Sequence, residues 1–177
     1  MHTDLPELPL RHEALPPRTP TAAPPLLVLL HGYGSNEEDL LQLAPYLPDD
    51  CQIVAFRAPL MLSPGANCWY ELAFTADGIV GDHRQALHSL EILREAVTAA
   101  VKTYTCDPAR VAVLGFSQGG GMAGMLALTE PSVRCSLVLS GINPFSIVPA
   151  AAIMVANPRV AVFHGTYDEV VPITTGQ

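Results

Sequence analysis

One serine of the 177-residue chain stands in a setting that suits a nucleophile. Gly115-Phe116-Ser117-Gln118-Gly119 has the form G-x-S-x-G, and Gly120 and Gly121 follow directly. A hydroxyl attacks a carbonyl carbon when a base takes its proton and nearby donors stabilise the oxyanion that forms. G-x-S-x-G meets part of that need where a strand ends before it and a helix begins after it. The turn then lifts the hydroxyl clear of the sheet, and the helix N-terminus favours the developing negative charge. A side chain at Gly115 or Gly119 would collide with the neighbouring strand or the helix. Without that context the same run is a tight turn with a surface serine.

Two other runs supply chemistry that fits. His31-Gly32-Tyr33-Gly34 has the form H-G-x-G and ends an apolar run. An oxyanion needs two converging N–H groups, and we assign them to Tyr33 in this loop and to Gln118, the residue after the serine. The His31 side chain belongs to the oxyanion loop and hydrogen-bonds within it, so it is not the base. Asp168 lies in V-F-H-G-T-Y-D-E-V-V-P, residues 162–172, a few residues past another apolar run. It is placed to accept an imidazole N–H and stabilise the imidazolium. Glu169 competes for that role, and the shorter acid gives the tighter geometry. His83 and His88 open a long helical stretch and read as surface residues.

The elements that must hold these groups are legible as runs. LLVLL (26–30), QIVAF (52–56), RVAVLGF (110–116), CSLVLSG (135–141) and RVAVFHG (159–165) are short and almost wholly apolar. Continuous hydrophobicity marks strands covered on both faces. Between them, residues 35–47 read as a helix capped by Ser35 or Asn36. Residues 82–104 place Leu90, Leu93, Val97, Val101 and Tyr104 on one helical face, and a third helix follows Ser117 and stops at Pro131. The alternation predicts an α/β fold in three layers, a mostly parallel central sheet with helices on both faces. Ligands of such sheets sit at the carboxyl ends of strands, where all three motifs stand.

Composition narrows the classes. An apolar fraction of 49% and a charged fraction of 15% suit one well-packed domain. We divide the chain into a proline-rich arm, residues 1–24, with a short edge strand near Leu8–Ala14, and one domain, residues 25–177. A net charge of −8 argues against nucleic acid and anionic membrane surfaces as partners. The four cysteines are scattered without a C-x-x-C pair, which predicts reduced thiols and a cytoplasmic location. No metal-ligand spacing surrounds the six histidines, and no apolar run is long enough to span a membrane. Residues 59–74 read as a long loop, and long loops in compact domains are usually functional. Met61, Leu62, Trp69, Tyr70, Leu72 and Phe74 give it apolar surface. They either line a substrate pocket, Trp69 foremost with Met61, Tyr70 and Leu72, or cover the sheet edge as core. Residues 140–145 offer a further wall.

The three motifs in this order, H-G-x-G, G-F-S-Q-G-G and H-G-x-x-D-x-x-V-P, resemble the phospholipase/carboxylesterase family of α/β-hydrolases. F-R-A-P (56–59) and N-C-W-Y-E (67–71) are also similar to that family, and the similarity runs from Leu26 to Pro172. The resemblance implies an α/β-hydrolase fold, Ser117 as nucleophile, Asp168 as triad acid, and Tyr33 and Gln118 as oxyanion donors. It implies cleavage of carboxylic ester or thioester bonds of small or single-chain acyl substrates, without metal or organic cofactor. The alternatives are acyl transfer on the same scaffold and a non-catalytic binding protein of the same fold. Whether the chain forms a homodimer stays open. The family's catalytic histidine lies about 30 residues beyond the aspartate, after another strand. This chain ends at Gln177, nine residues past Asp168. It is therefore expected to lack that histidine with the last strand and helix, and to be impaired on its own.

Overall fold

The computed structural model describes residues 5–75, 78–141, 148, 152–155 and 157–168. In chain order the elements are β1 (His12–Leu15), β2 (Leu26–Leu30), a 3-10 helix (Asp39–Tyr46), β3 (Gln52–Phe56), β4 (Leu60–Ser63), β5 (Ala66–Cys68), β6 (Leu72–Thr75) and β7 (Gly78–Gly81). Helix α1 (His83–Thr103), β8 (Val111–Phe116), α2 (Gln118–Thr129), β9 (Val133–Leu139) and β10 (Val160–Phe163) follow.

Every residue of β2 and β3 is buried, as their unbroken apolar runs require. Alternate side chains leave a strand on opposite faces. Leu26, Val28 and Leu30 enter a core shared with α1 and α2. Leu27 and Leu29 enter a second core with Ile53 and with Leu40, Leu41 and Leu43 of the 3-10 helix. The sheet thus lies between two layers, and neither face of β2 or β3 meets water.

The six main strands are ordered β1-β3-β2-β8-β9-β10. All neighbours are parallel except β1 on β3. From β2 the chain moves to β3 on one side, then crosses back over β2 to reach β8. Right-handed connections put links that run in opposite directions on opposite faces. Accordingly the 3-10 helix covers one face, and α1 and α2 share the other. The reversal lies between β2 and β8, and the crevice beyond their carboxyl ends is where such folds bind ligands.

Helix α1 starts where Asp82 accepts hydrogen bonds from the Arg84 and Gln85 amides, at 2.9 and 3.1 Å. It buries Leu90, Leu93 and Val97, with Val101 and Tyr104 packed against the core. Helix α2 is buried along its whole length. Residues 35–47 depart from the expected α-helix. Asn36 Oδ1 accepts from the Glu38 amide at 2.9 Å, so that side chain closes a turn and the helix begins only at Asp39. Pro45 inside it has no N–H to give, and the segment winds as 3-10. Residues 59–74 also differ from a plain loop. They contain the β4–β5 hairpin and β6, which pairs antiparallel with β7.

The proline-rich segment docks on this frame. Strand β1 pairs with β3 from His12 opposite Phe56 to Leu15 opposite Ile53. His12 Nε2 meets the Tyr104 hydroxyl at 2.6 Å, and Leu10 is buried. Beside it the Glu37 carboxylate, fully buried, accepts from Arg11 Nε at 2.9 Å, from Arg57 Nη2 at 2.8 Å and from Arg57 Nε. Burial pushes the Glu37 carboxyl up, but the Arg57 hydrogen bond, its own amide and the two guanidinium charges outweigh it, and the group is held below its ordinary value. Removing the buried member of such a pair leaves the other uncompensated. Glu37→Ala should therefore lower the unfolding free energy in urea by about 3 kcal/mol. Arg11→Ala, whose side chain is 65% exposed, should cost less than about 1 kcal/mol.

Candidate active site

The serine sits on the turn its neighbours require. Ser117 lies between β8 and α2 with φ 52° and ψ −116°, a conformation a side-chain-bearing residue rarely adopts. The strain is held by the surrounding backbone. Ser117 N–H donates to the Leu139 carbonyl at 2.8 Å, and the Gly121 amide donates to the Ser117 carbonyl at 3.1 Å.

Two glycines make that turn sterically feasible. A Cβ on Gly115 would stand 2.0 Å from the Gly119 carbonyl oxygen. One on Gly119 would stand 2.1 Å from the Leu30 oxygen and 2.5 Å from the His31 oxygen. Helix α2 therefore starts directly against the end of β2, and the H-G-x-G loop is brought to the serine. A Cβ on Gly32 would be 3.5 Å from the Ser117 Cβ. Tyr33 follows in that loop, half-buried. The amides of its successors are committed, Gly34 N–H to Asn67 O at 2.9 Å and Ser35 N–H to Gly32 O at 3.3 Å. Among the described residues no carbonyl takes the Tyr33 N–H. The Gln118 N–H is the first of α2, where helix amides have no intrahelical acceptor. Both chosen donors thus come from the two elements that meet at the serine.

His31 lies 2% exposed beneath the loop. Its Nε2 faces the Ala58 amide at 3.0 Å, and a backbone N–H can only donate, so Nε2 accepts. Nδ1 then carries the proton and donates to the Gly32 carbonyl at 2.7 Å. Burial pushes the imidazole below its ordinary value, and it stays neutral with both nitrogens engaged. His83 and His88 are exposed on α1, and His88 lies 3.9 Å from Glu91. Among the described residues no side chain hydrogen-bonds the Ser117 hydroxyl.

Asp168 follows β10, on a turn in which its N–H donates to Gly165 O at 3.2 Å. Its carboxylate is 19% exposed and lies 3.7 Å from His164 Nε2. The competing Glu169, Pro172 and the wall segment from residue 142 to 145 lie outside the described residues.

The expected pocket residues divide. Leu72 lines a cleft of about 430 Å³ together with Tyr33, Leu62, Val80, Glu71 and Asp82. Met61 stands 73% exposed on β4. Trp69 and Tyr70 are instead 0% and 1% exposed, in the core beneath the site. The backbone that carries them is bound by a buried polar side chain, a contact that a single sequence hides. The Gln118 side chain, 1% exposed, accepts from Trp69 N–H at 2.8 Å and donates to Tyr70 O at 2.7 Å. Phe116, 43% exposed beside the serine, also escaped the sequence reading, although its position in the motif marks it. The thiol nearest these residues in sequence, Cys68, is buried, and burial with the Glu71 charge pushes it up to about 11, so it is no thiolate nucleophile. All four cysteines are free. Among the described residues no cluster could hold a metal ion, and no helix is long and apolar enough to cross a membrane.

A sequence profile of the phospholipase/carboxylesterase family matches residues 16–177. The chain belongs to that family. Its architecture is the α/β-hydrolase fold. The crystal structure of esterase PE8 superposes with a TM-score of 0.81 at 29% identity, over 94% of this chain and 79% of that one. A carboxylesterase from Mesorhizobium loti superposes at 0.80 with 24% identity, over 96% and 78%. Among curated proteins, the putative hydrolase MhqD of Bacillus subtilis (strain 168) is 27% identical over 114 residues, 64% of this chain. The match spans 55% of that relative's length.

The buried His31 makes the stability of this chain depend on pH. Its folded value lies below the 6.5 of an exposed imidazole, so the unfolded chain takes up the proton first as pH falls. Stability is then complete above about pH 6.5 and falls below it, by at most about 1.4 kcal/mol per pH unit from this group. His12, also lowered by burial, acts in the same direction. Urea midpoints measured from neutral pH downwards should show this decline, and His31→Gln should flatten it.

Proposed function

We propose that the protein is a serine hydrolase that cleaves carboxylic ester or thioester bonds through an acyl-enzyme on Ser117. The observation that carries this reading is the serine's backbone conformation between β8 and α2, with the His31–Gly34 loop packed against it. Ser117 Oγ attacks the acyl carbon, and an imidazole takes its proton. The carbonyl oxygen, now an oxyanion, accepts hydrogen bonds from Tyr33 N–H and Gln118 N–H. The tetrahedral species expels the alcohol or thiol, which takes the proton. Water, deprotonated by the same imidazole, then releases the acid.

Asp168 orients that imidazole. The register supports its place. Phe116 pairs with Leu139, and Leu139 with Phe163, so the ends of β8, β9 and β10 are level. Two strand spacings separate Ser117 from the β10 end, about 10 Å. An imidazole with one hydrogen bond of about 2.8 Å on either side fits within that gap. The base itself is a histidine carried outside the described residues.

The cleft beside Tyr33 receives the acyl or alcohol portion, with Leu62 and Leu72 as apolar surface. Its volume of about 430 Å³ suits small or single-chain groups. The Glu71 and Asp82 carboxylates on its lining favour neutral over anionic substrates. With the intact gene product, Ser117→Ala should reduce p-nitrophenyl butyrate hydrolysis to background, a loss of at least about 10³-fold. Activity retained in that variant would remove the reading.

A further inference from the structure

The two amides assigned to the oxyanion come from loops that are remote in sequence, and both loops are fastened to one third segment. The loop carrying Tyr33 is held by a pair of backbone bonds to Asn67, Gly34 N–H to Asn67 O at 2.9 Å and Asn67 N–H to Ser35 O at 2.7 Å. It is held again by the Trp69 indole, whose Nε1–H donates to His31 O at 3.0 Å. The turn carrying Gln118 is held by its own side chain, through the Trp69 amide and the Tyr70 carbonyl. These backbone partners fix the amide's orientation, since Trp69 N–H can only donate and Tyr70 O can only accept. Asn67, Trp69, Tyr70, Gln118 and His31 are all buried. The segment is itself anchored to α1, because the Ser89 hydroxyl donates to Trp69 O and the Glu71 amide donates to Gln85 Oε1 at 2.7 Å.

We infer that residues Asn67–Tyr70 are a spacer that sets the distance between the Tyr33 and Gln118 amides, with Trp69 and the Gln118 side chain as its positioning groups. The inference rests on the proposed role of Ser117. An oxyanion hole works only when both donors stand at hydrogen-bond distance from one oxygen, so an error of a fraction of an ångström in either loop weakens transition-state binding and leaves substrate binding in place. A buried amide bonded on both sides transmits such an error directly. Trp69 and Tyr70 therefore serve the reaction from below the site without touching substrate.

The test is the rate at which an alkyl fluorophosphonate labels Ser117 in the intact gene product, with the labelled peptide identified, together with kcat and KM on a p-nitrophenyl ester. Gln118→Glu is the informative variant. A protonated carboxyl keeps both bonds, its carbonyl oxygen accepting from Trp69 N–H and its hydroxyl donating to Tyr70 O. The ionised carboxylate sets one acceptor against another. The variant-to-wild-type ratio of labelling rates should stay near one at about pH 5 and fall at least about tenfold by about pH 8, as the buried carboxyl loses its proton. Trp69→Phe, which removes only the indole donor while keeping an aromatic ring, should lower kcat about tenfold at every pH and leave KM within twofold. Ratios near one at all pH values for both variants would overturn the spacer. A wild-type protein not labelled at Ser117 would overturn the esterase reading on which it rests.

Discussion

The carbonyl oxygens of Leu30 and His31 lie where a side chain on residue 119 would have to go. That contact between two backbones is the constraint from which the rest of the site follows. It lets α2 begin directly against the end of β2, and Gly115 lets the strand before it pass just as close to the helix. The residue between them must turn sharply, so Ser117 takes a positive φ and its hydroxyl leaves the sheet. The strain is affordable because the turn is over-determined: β9 takes the serine N–H, α2 takes its carbonyl, and β2 blocks retreat.

The fold places this contact where ligands can reach it. Strands β2 and β8 are neighbours, yet the chain leaves them in opposite directions, and such a reversal leaves a crevice at the carboxyl ends of the strands. The H-G-x-G loop and the Ser117 turn are the two strand ends at that crevice. Behind them a polar layer fastens each loop, with His31 under one, the Gln118 side chain under the other and Trp69 between them. Below that layer the two cores are apolar and dense, and the Glu37 carboxylate with its arginines ties the N-terminal strand to the same loop.

Much of this is legible in single residues. LLVLL and QIVAF coincide with β2 and β3, because a strand buried on both faces must be apolar at every position. Strand β9 begins at Val133, before the run starting at Cys135; exposed Arg134 interrupts the apolar pattern where the register shifts, Val133 pairing with Val111 and Cys135 with Ala112. The glycine spacing around Ser117 predicts close backbone approach, a local consequence of a local pattern. Tertiary effects are less visible. Periodicity alone could not separate 3-10 from α winding at residues 39–46, where Pro45 was the available signal. The β4–β5 hairpin was marked by Pro64-Gly65, and Gly65 has φ 81°. The side-chain bond of Gln118 to a segment about 50 residues away leaves no trace in spacing, and neither does the pairing of Glu37 with Arg57. An aromatic pair such as Trp69-Tyr70 looks the same in sequence whether it lines a pocket or floors it.

The central claim is that the Ser117 turn and the His31–Gly34 loop together form a hole for one developing oxyanion. The most direct measurement is a crystal structure of the intact gene product after reaction with an alkyl phosphonate, whose tetrahedral phosphorus carries an oxygen in the oxyanion's place. The account predicts phosphorus bonded to Ser117 Oγ and its free oxygen about 2.7–3.1 Å from both the Tyr33 and the Gln118 amide nitrogens. Phosphorus on another residue, or an oxygen turned to solvent away from those two amides, would contradict it.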